Sequence, residues 1–317
     1  MINNLAIVIP AYREKYFEAA LNSIALQTLK GFTLYIGDDS DTVCLSGIVD
    51  KYRDQINIVY KKFENNLGES DLVAQWERCI DLVQNEDWIW LFSDDDIMAE
   101  DCVEGFYETL YKYNKATTEN KVFKFNLSIT DADLNCWKRC ITPLEFSIDY
   151  FLQRYFIEHT LTNRAVEYIY SKKTYKEKGG YVNFPLGWGS DTATMLKFGQ
   201  ESGYVTIEKG EVFWRNSGQN ITSLSNPVIN KHKSFVLDQF HKWSFYFIQD
   251  YRDRPYYKEL VFNILRSFLS LSELADLKIK KDSQYFKVVF WILYLRISRR
   301  LTYRKFKKLI KRVIHKS

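Results

Sequence analysis

The chain has 317 residues, of which 46% are hydrophobic, 16% aromatic and 26% charged, with only five prolines. That balance excludes a disordered chain and leaves room for one large folded domain, or a domain with an appendage. The net charge of +4 conceals two parts of opposite sign: residues 278–317 hold fourteen Lys or Arg against the single acid Asp282, so the remainder sums to −9.

In chain order, Leu5–Ile9 reads as a short apolar strand, followed by KYFEAALNSIALQ with helical spacing of Phe17, Ala20, Leu21 and Ile24. FTLYIG (32–37) is predicted as strand, LSGIVDKY (45–52) as helix and INIVY (56–60) as strand. DLVAQWERCIDLV (71–83) has the pattern of an amphipathic helix and WIWLF (88–92) that of a buried strand; CVEGFYETLYKY (102–113) reads as helix and KVFKFNLSI (121–129) as strand. Strand–helix units at this spacing imply parallel strands, hence an α/β sandwich. After about residue 131 the alternation weakens into a helix at SIDYFLQRYF, a strand at VEYIYS, a Gly- and aromatic-rich loop GGYVNFPLGWGSD, a helix at TATMLKF and two short strands, YVTIE and EVFWRN. SGQNITSLSNP reads as a closing loop, so the boundaries are a first domain over 1–227 and a helical region over 228–317, with helices at 231–250, 255–270 and from 283 onward.

Five scattered cysteines (Cys44, Cys79, Cys102, Cys136 and Cys140) fit buried free thiols in a reducing compartment rather than a disulfide framework. No apolar run reaches the roughly 18 residues of a membrane-spanning helix. The start MINNLAIVIP lacks the basic region of a leader, and no lipidation signal is read at either end.

In an open parallel sheet, ligands sit outside the carboxyl ends of the strands. Three loops fall at such ends: PAYRE after the first strand, GDDSDT with Asp38 and Asp39 after the second, and SDDDIM with Asp94, Asp95 and Asp96 after the fourth. A lone Asp before a helix is ordinarily a cap. Three adjacent carboxylates are poorly explained that way, whereas a divalent cation with its oxygen preference makes such a cluster favourable. An EF-hand loop is excluded, because the turn position counted from Asp94 is Ala99 and the twelfth is Gly105; a P-loop and a G-x-G-x-x-G are absent.

LAIVIPAYREKYFEAALNSIALQ, YIGDDSDT, ENNLG, WLFSDDDIM and GGY…GWGSDTATML follow one another in the order and spacing of family 2 glycosyltransferases, and the chain resembles that family over roughly residues 1–220. The resemblance implies an α/β fold of the GT-A type, a Rossmann-like mostly parallel sheet flanked by helices, here with a helical C-terminal extension. It implies that Pro10, Ala11 and Tyr12 pack around a nucleotide, usually uridine. Asp39 would recognise the base with Asp38 beside it, and Asp94 joins this nucleotide-binding set. SDDDI matches the family's D-x-D motif in either of two registers, with Asp95 or Asp96 touching Mn2+ or Mg2+. Asp191 matches the catalytic base, Gly179 and Gly180 the turn before the acceptor loop, and Trp188 a wall of the acceptor and donor-sugar pocket. Two departures stand out: Gln75–Trp76 replaces a common Arg–Asn pair, and WRNSGQN, with Arg215 and Asn216, lacks a His found in some members.

The reaction implied is transfer of a sugar from a nucleotide-sugar, a UDP-sugar above all, to a saccharide or lipid-linked saccharide acceptor in surface polysaccharide synthesis. A single displacement inverts the anomeric centre. The last forty residues pair an apolar run, Phe286–Ile297, with a basic amphipathic stretch, the signature of a helix lying on an anionic membrane surface. The setting expected is cytoplasmic, at the inner face of the cell membrane, with no nucleic-acid partner because no recognition motif accompanies the charge. Two rivals are a nucleotidyltransferase on a similar sheet, which would want a basic phosphate-binding loop after the first strand, where AYREKY offers Arg13 and Lys15 but no glycine-rich turn, and a catalytically silent membrane-bound binding protein, which should have lost Asp191 or the acidic triplet.

Overall fold

The computed structural model describes residues 4–41, 43–113, 120–218, 220, 227–268 and 277. The basic segment 278–317, and with it the expected surface helix, lies outside the described residues. The chain divides into two compact units, Met1–Phe151 with Leu161–Leu224, and Leu152–Thr160 with Ser225–Ser317.

The first unit is built on a mixed sheet in the order β3-β2-β1-β4-β9-β6-β10-β5. Its strands are β1 (Leu5–Ala11), β2 (Phe32–Asp38), β3 (Ile58–Lys62), β4 (Trp88–Leu91), β5 (Ile97–Met98), β6 (Val122–Thr130), β7 (Cys136–Cys140), β8 (Glu145–Phe146), β9 (Tyr168–Ser171) and β10 (Tyr204–Arg215). β1 pairs in parallel with β2 and β4, β2 with β3, and β6 with β10. β9 runs antiparallel to both β4 and β6, so β1, β2, β3, β4, β6 and β10 all point the same way and their carboxyl ends share one edge. The expected α/β sandwich is therefore present.

Continuous apolar runs account for the centre. LAIVIPA and FTLYIGD are covered on both faces, as parallel strands between helices must be. Trp90 stacks on Phe125 at 4.8 Å and sends its indole N–H to the Val166 carbonyl at 2.7 Å, so this large ring is buried without an orphaned donor. Burial of each aromatic of this kind contributes roughly 1.5–3 kcal/mol.

The flanking helices are α1 (Phe17–Ala25), α2 (Ser46–Asp50), α3 (Leu72–Ile80), α4 (Cys102–Lys112), α5 (Ile148–Leu152), α6 (Lys172–Glu177) and α7 (Ser190–Gly199). α3 starts where Asp71 caps it, its carboxylate accepting the Ala74 N–H at 3.0 Å. α3 lies so close to β2 that a Cβ on Gly37 would stand 2.2 Å from the Cys79 sulfur.

Two expectations change. YVTIE and EVFWRN are one strand, β10, whose register against β6 shifts between Ile207 and Val212. The bulge carries Gly210 at φ +90, which is why the intervening polar residues resemble a loop in sequence. β5, β7 and β8 were not anticipated: two have only two residues, and the third, CWKRC, exposes nearly all of its side chains. All five cysteines are free; Cys79, Cys102 and Cys140 are buried as expected, whereas Cys44 and Cys136 are exposed.

In the second unit, α8 (Pro227–Phe247) continues through a 3-10 turn, Ile248–Tyr251, and is followed by α9 (Tyr257–Ser267). The π-helical turn Gln153–Ile157 belongs to this unit: Tyr155 and Phe156 set their rings 6.3 and 6.1 Å from Phe240.

Candidate active site

The carboxyl edge of β1, β2 and β4 draws the acidic loops together. Ala11 pairs with Asp38 in register, and its carbonyl accepts the Asp39 N–H at 2.8 Å. One oxygen of Asp94 accepts the backbone N–H groups of Tyr12 and Arg13, each at 2.8 Å. The loop after β1, containing Pro10, Ala11 and Tyr12, is thus pinned to the acidic turn after β4, while the Tyr12 side chain stays 47% exposed at the edge.

Asp38 and Asp39 are both buried, and the protein engages both. Asp38 accepts from Ser40 N–H at 2.9 Å, Ser40 Oγ at 2.6 Å, Lys62 Nζ at 3.1 Å and, at short range, the Tyr60 hydroxyl. Asp39 accepts from the backbone of Leu67 at 3.1 Å and Gly68 at 2.7 Å and is paired with Arg78. Arg78 in turn donates to the Asn65 side chain at 3.0 Å and packs over the Phe63 ring at 3.9 Å. The NLG segment is therefore folded against Asp39, with a guanidinium beside it.

In the acidic turn the three carboxylates have different surroundings. Asp96 accepts the Arg215 N–H at 2.7 Å and the Ser93 hydroxyl at 2.6 Å, so each of its oxygens is held. Asp94 is held through one oxygen only. Asp95 lies 3.1 Å from the same Ser93 hydroxyl, which it shares with Asp96, takes a side-chain hydrogen bond from Ser217 and faces the Arg13 guanidinium at 3.9 Å. Arg215, itself buried, ties the turn in place by donating to the Asp95 carbonyl at 2.8 Å and the Ala132 carbonyl at 2.5 Å, with its guanidinium 4.4 Å from the Tyr16 ring centroid. Loss of water is the first cause of perturbed acidity here: it pushes the Asp94 carboxyl up to about 6, raises Asp95 and raises Asp96 well above the carboxylate range. The Asp95 charge adds to the rise at Asp94 and Asp96, while Arg13 and Arg215 oppose the rise at Asp95.

The expected acceptor-side residues sit in the same unit. Gly179 and Gly180 have φ near +70, and a Cβ on Gly180 would lie 2.3 Å from Glu77 Oε1, which accepts the Tyr181 N–H at 2.9 Å. The left-handed backbone at Gly180 favours glycine there, and a larger residue would also have to displace this carboxylate. Trp188 follows the turn Pro185–Gly187, and Leu186 within that turn holds a left-handed backbone, φ 62, a strained conformation for a branched residue. Gly189, not Asp191, is the cap of α7. Asp191 lies in the first helical turn with its carboxylate accepting the Thr192 N–H at 2.7 Å. Burial raises its proton affinity, and the Arg164 charge is the principal opposing influence.

The model of the family described as Glycosyl transferase family 2 matches residues 6–160. Residues 6–160 belong to the family 2 glycosyltransferases. The glycosyltransferase also shares its fold with S. aureus TarS 1-349 in complex with UDP-GlcNAc, at 15% identity over 93% of this chain and 82% of that one, TM-score 0.60. The UDP complex of TarS 1-349 gives 16% identity over 92% and 87% of the two chains, TM-score 0.54. GalNAc-T7 with UDP, GalNAc and Mn2+ gives 12% over 80% of this chain and 52% of that one, TM-score 0.51. At such identities the likeness establishes the GT-A fold. Against a longer TarS structure the glycosyltransferase spans 53% of that chain. No curated protein matches it in sequence.

Sequence reasoning missed Arg78, the cation that this glycosyltransferase pairs with Asp39. Arg78 meets Asp39 from the helix whose Gln75–Trp76 replaces the family's Arg–Asn pair, one turn beyond that pair. Trp76 instead packs edge-on against Tyr181 at 5.5 Å, joining α3 to the loop that follows Gly180. The available signal was a basic residue three positions along the same helix face. Among the described residues no group of three or more His, Cys, Asp or Glu side chains is arranged to hold a metal ion. The acidic turn nonetheless fits a hard cation that keeps several waters and takes one or two carboxylates: its donors are all oxygen, and one Asp94 oxygen accepts nothing among the described residues.

Proposed function

We propose that the chain transfers a sugar with inversion from a nucleotide-sugar, a UDP-sugar above all, to a saccharide or lipid-linked saccharide in surface polysaccharide synthesis. The observation that carries this reading is the convergence, at one sheet edge, of a pinned β1 loop, an Asp39–Arg78 pair and a dehydrated acidic triplet. TarS, which shares the fold, is described with UDP-GlcNAc and with UDP.

Each residue has a definite part. Pro10, Ala11 and Tyr12 form a floor for the nucleotide, with Tyr12 presenting a ring at the edge. Asp39, oriented by Arg78 and two backbone N–H groups, reads the base, and Asp38 fixes the loop that carries it. Asp94 holds the β1 loop against the acidic turn. Asp95 would be the principal ligand of Mn2+ or Mg2+, with Asp96 anchored behind it by Ser93 and Arg215. A bound divalent ion supplies charge stabilisation to the departing diphosphate. On the opposite face Asp191 takes the acceptor hydroxyl's proton, a task favoured by a carboxylate whose pKa is raised by burial. Gly180 and Trp188 shape the acceptor and donor-sugar pocket.

A panel of nucleotide-sugars, each assayed for binding and slow hydrolysis with and without Mn2+, tests the reading. A UDP-sugar is expected to bind and to be hydrolysed faster with the metal. If no nucleotide-sugar binds under either condition, the reading fails. The basic segment 278–317 is assigned to an anionic membrane surface on its composition alone. Anionic vesicles should carry down the full chain and leave a chain ending at residue 277 in solution; equal behaviour of the two overturns that assignment.

A further inference from the structure

The cations at the carboxyl edge differ in how firmly they are held. Arg78 spends its guanidinium on Asp39, Asn65 and Gln75, Arg215 on two backbone carbonyls, and Lys62 on Asp38 and Ser40. Arg13 is different. Its backbone N–H is fixed on Asp94 at 2.8 Å, yet its guanidinium, 31% exposed, reaches Asp95 only at 3.9 Å. At that distance the contact is an ion pair without a hydrogen bond, and the fork's five N–H donors find no acceptor among the described residues.

We infer that Arg13 is an exchangeable counter-ion: it balances Asp95 in the free protein and passes to the diphosphate when a nucleotide enters. This rests on the nucleotide-sugar reading of the same site. The backbone anchor keeps the residue beside the acidic turn, while the long side chain can turn without disturbing that anchor. A nucleoside diphosphate offers oxygens that match a planar guanidinium two at a time, a better partner than one carboxylate at 3.9 Å. A divalent ion arriving at Asp95 would repel the guanidinium and so favour the exchange. The same group then faces the charge that grows on the leaving diphosphate, where a fixed cation does most for the rate.

Isothermal titration of the full chain with UDP, uridine and MnCl2, comparing the unaltered protein with R13Q and R13K, tests this. R13Q is expected to weaken UDP by about 10- to 100-fold, the loss of a charge-assisted pair to phosphate, and to leave uridine unchanged. Mn2+ without nucleotide should bind R13Q several-fold more tightly, because a competing cation has gone. R13K should fall between the two for UDP, keeping the charge and losing the fork. An unchanged UDP affinity in R13Q, or a loss of uridine in step with UDP, overturns the inference. If the unaltered chain binds neither UDP nor uridine, the nucleotide reading falls and this inference with it; if it binds both and R13Q matches it on both, only the inference falls.

Discussion

Changing Asp191 to Asn is expected to slow sugar transfer by about 100- to 10,000-fold while UDP binding is kept, the range general-base catalysis ordinarily supplies. The amide keeps the shape and can still accept the Thr192 N–H, which the carboxylate does at 2.7 Å, so the first turn of α7 should not move. What the amide cannot do is take a proton. The pH dependence gives a second sign of the role. Burial raises the Asp191 pKa and the Arg164 charge only partly opposes this, so the carboxylate loses its proton at higher pH than a free aspartate does. A base works in its ionised form; activity should therefore fall as pH drops through that elevated value and level off above it. Steady-state kinetics across pH on both proteins checks this. An Asn variant that turns over normally removes Asp191 from the chemistry and leaves the fold assignment untouched.

Replacing Glu167 by Ala is expected to cost about 3–5 kcal/mol of folding stability, the usual consequence of leaving one member of a buried ion pair alone. Lys124 on β6 and Glu167, the last residue of the 3-10 turn Ala165–Glu167 before β9, meet at 2.9 Å with both side chains wholly shielded from water. Lys124 also donates to the Phe125 carbonyl at 3.0 Å, and Glu167 accepts the Arg164 N–H at 2.9 Å. Without Glu167 the ammonium stays trapped between strands with one neutral carbonyl for company. Removing both charges, as Lys124→Met with Glu167→Leu, should recover most of the loss, since apolar side chains of similar volume need no counter-charge. Urea denaturation of the single and double variants reads the difference. A single variant as stable as the unaltered chain would show that the pair does little. The effect reaches the site as well: Arg164, anchored through Glu167, lies 4.4 Å over the Trp214 ring and acts on Asp191.

How much of this could be read in the residues follows from the range of the forces involved. LAIVIPA and WIWL announce themselves because both faces of a parallel strand are covered, which leaves an unbroken apolar run. The acidic triplet was legible because three adjacent like charges have no local remedy and demand a distant one. β5 and β8, with two residues each, carry no period, and their existence is decided by β10 alone. The single strand β10 was split in sequence because its bulge exposes polar residues where a loop would. The arginines were hidden for another reason: Arg78 meets Asp39 across 39 positions, Arg13 meets Asp94 across 81 and Arg215 meets Asp96 across 119. Such pairings are set by which strand ends become neighbours, and no local pattern encodes that. The cap of α7 makes the same point at short range: an Asp at the head of a helix looks like a cap until Gly189 is found in that place.

The most direct test of the account is the configuration of the sugar first released when an α-linked UDP-sugar is hydrolysed by the chain in the presence of Mn2+, followed by proton NMR before mutarotation. Attack across the ring with Asp191 as base requires the β-anomer to appear first. Initial release of the α-anomer would mean retention of configuration and would contradict the single displacement on which the account depends.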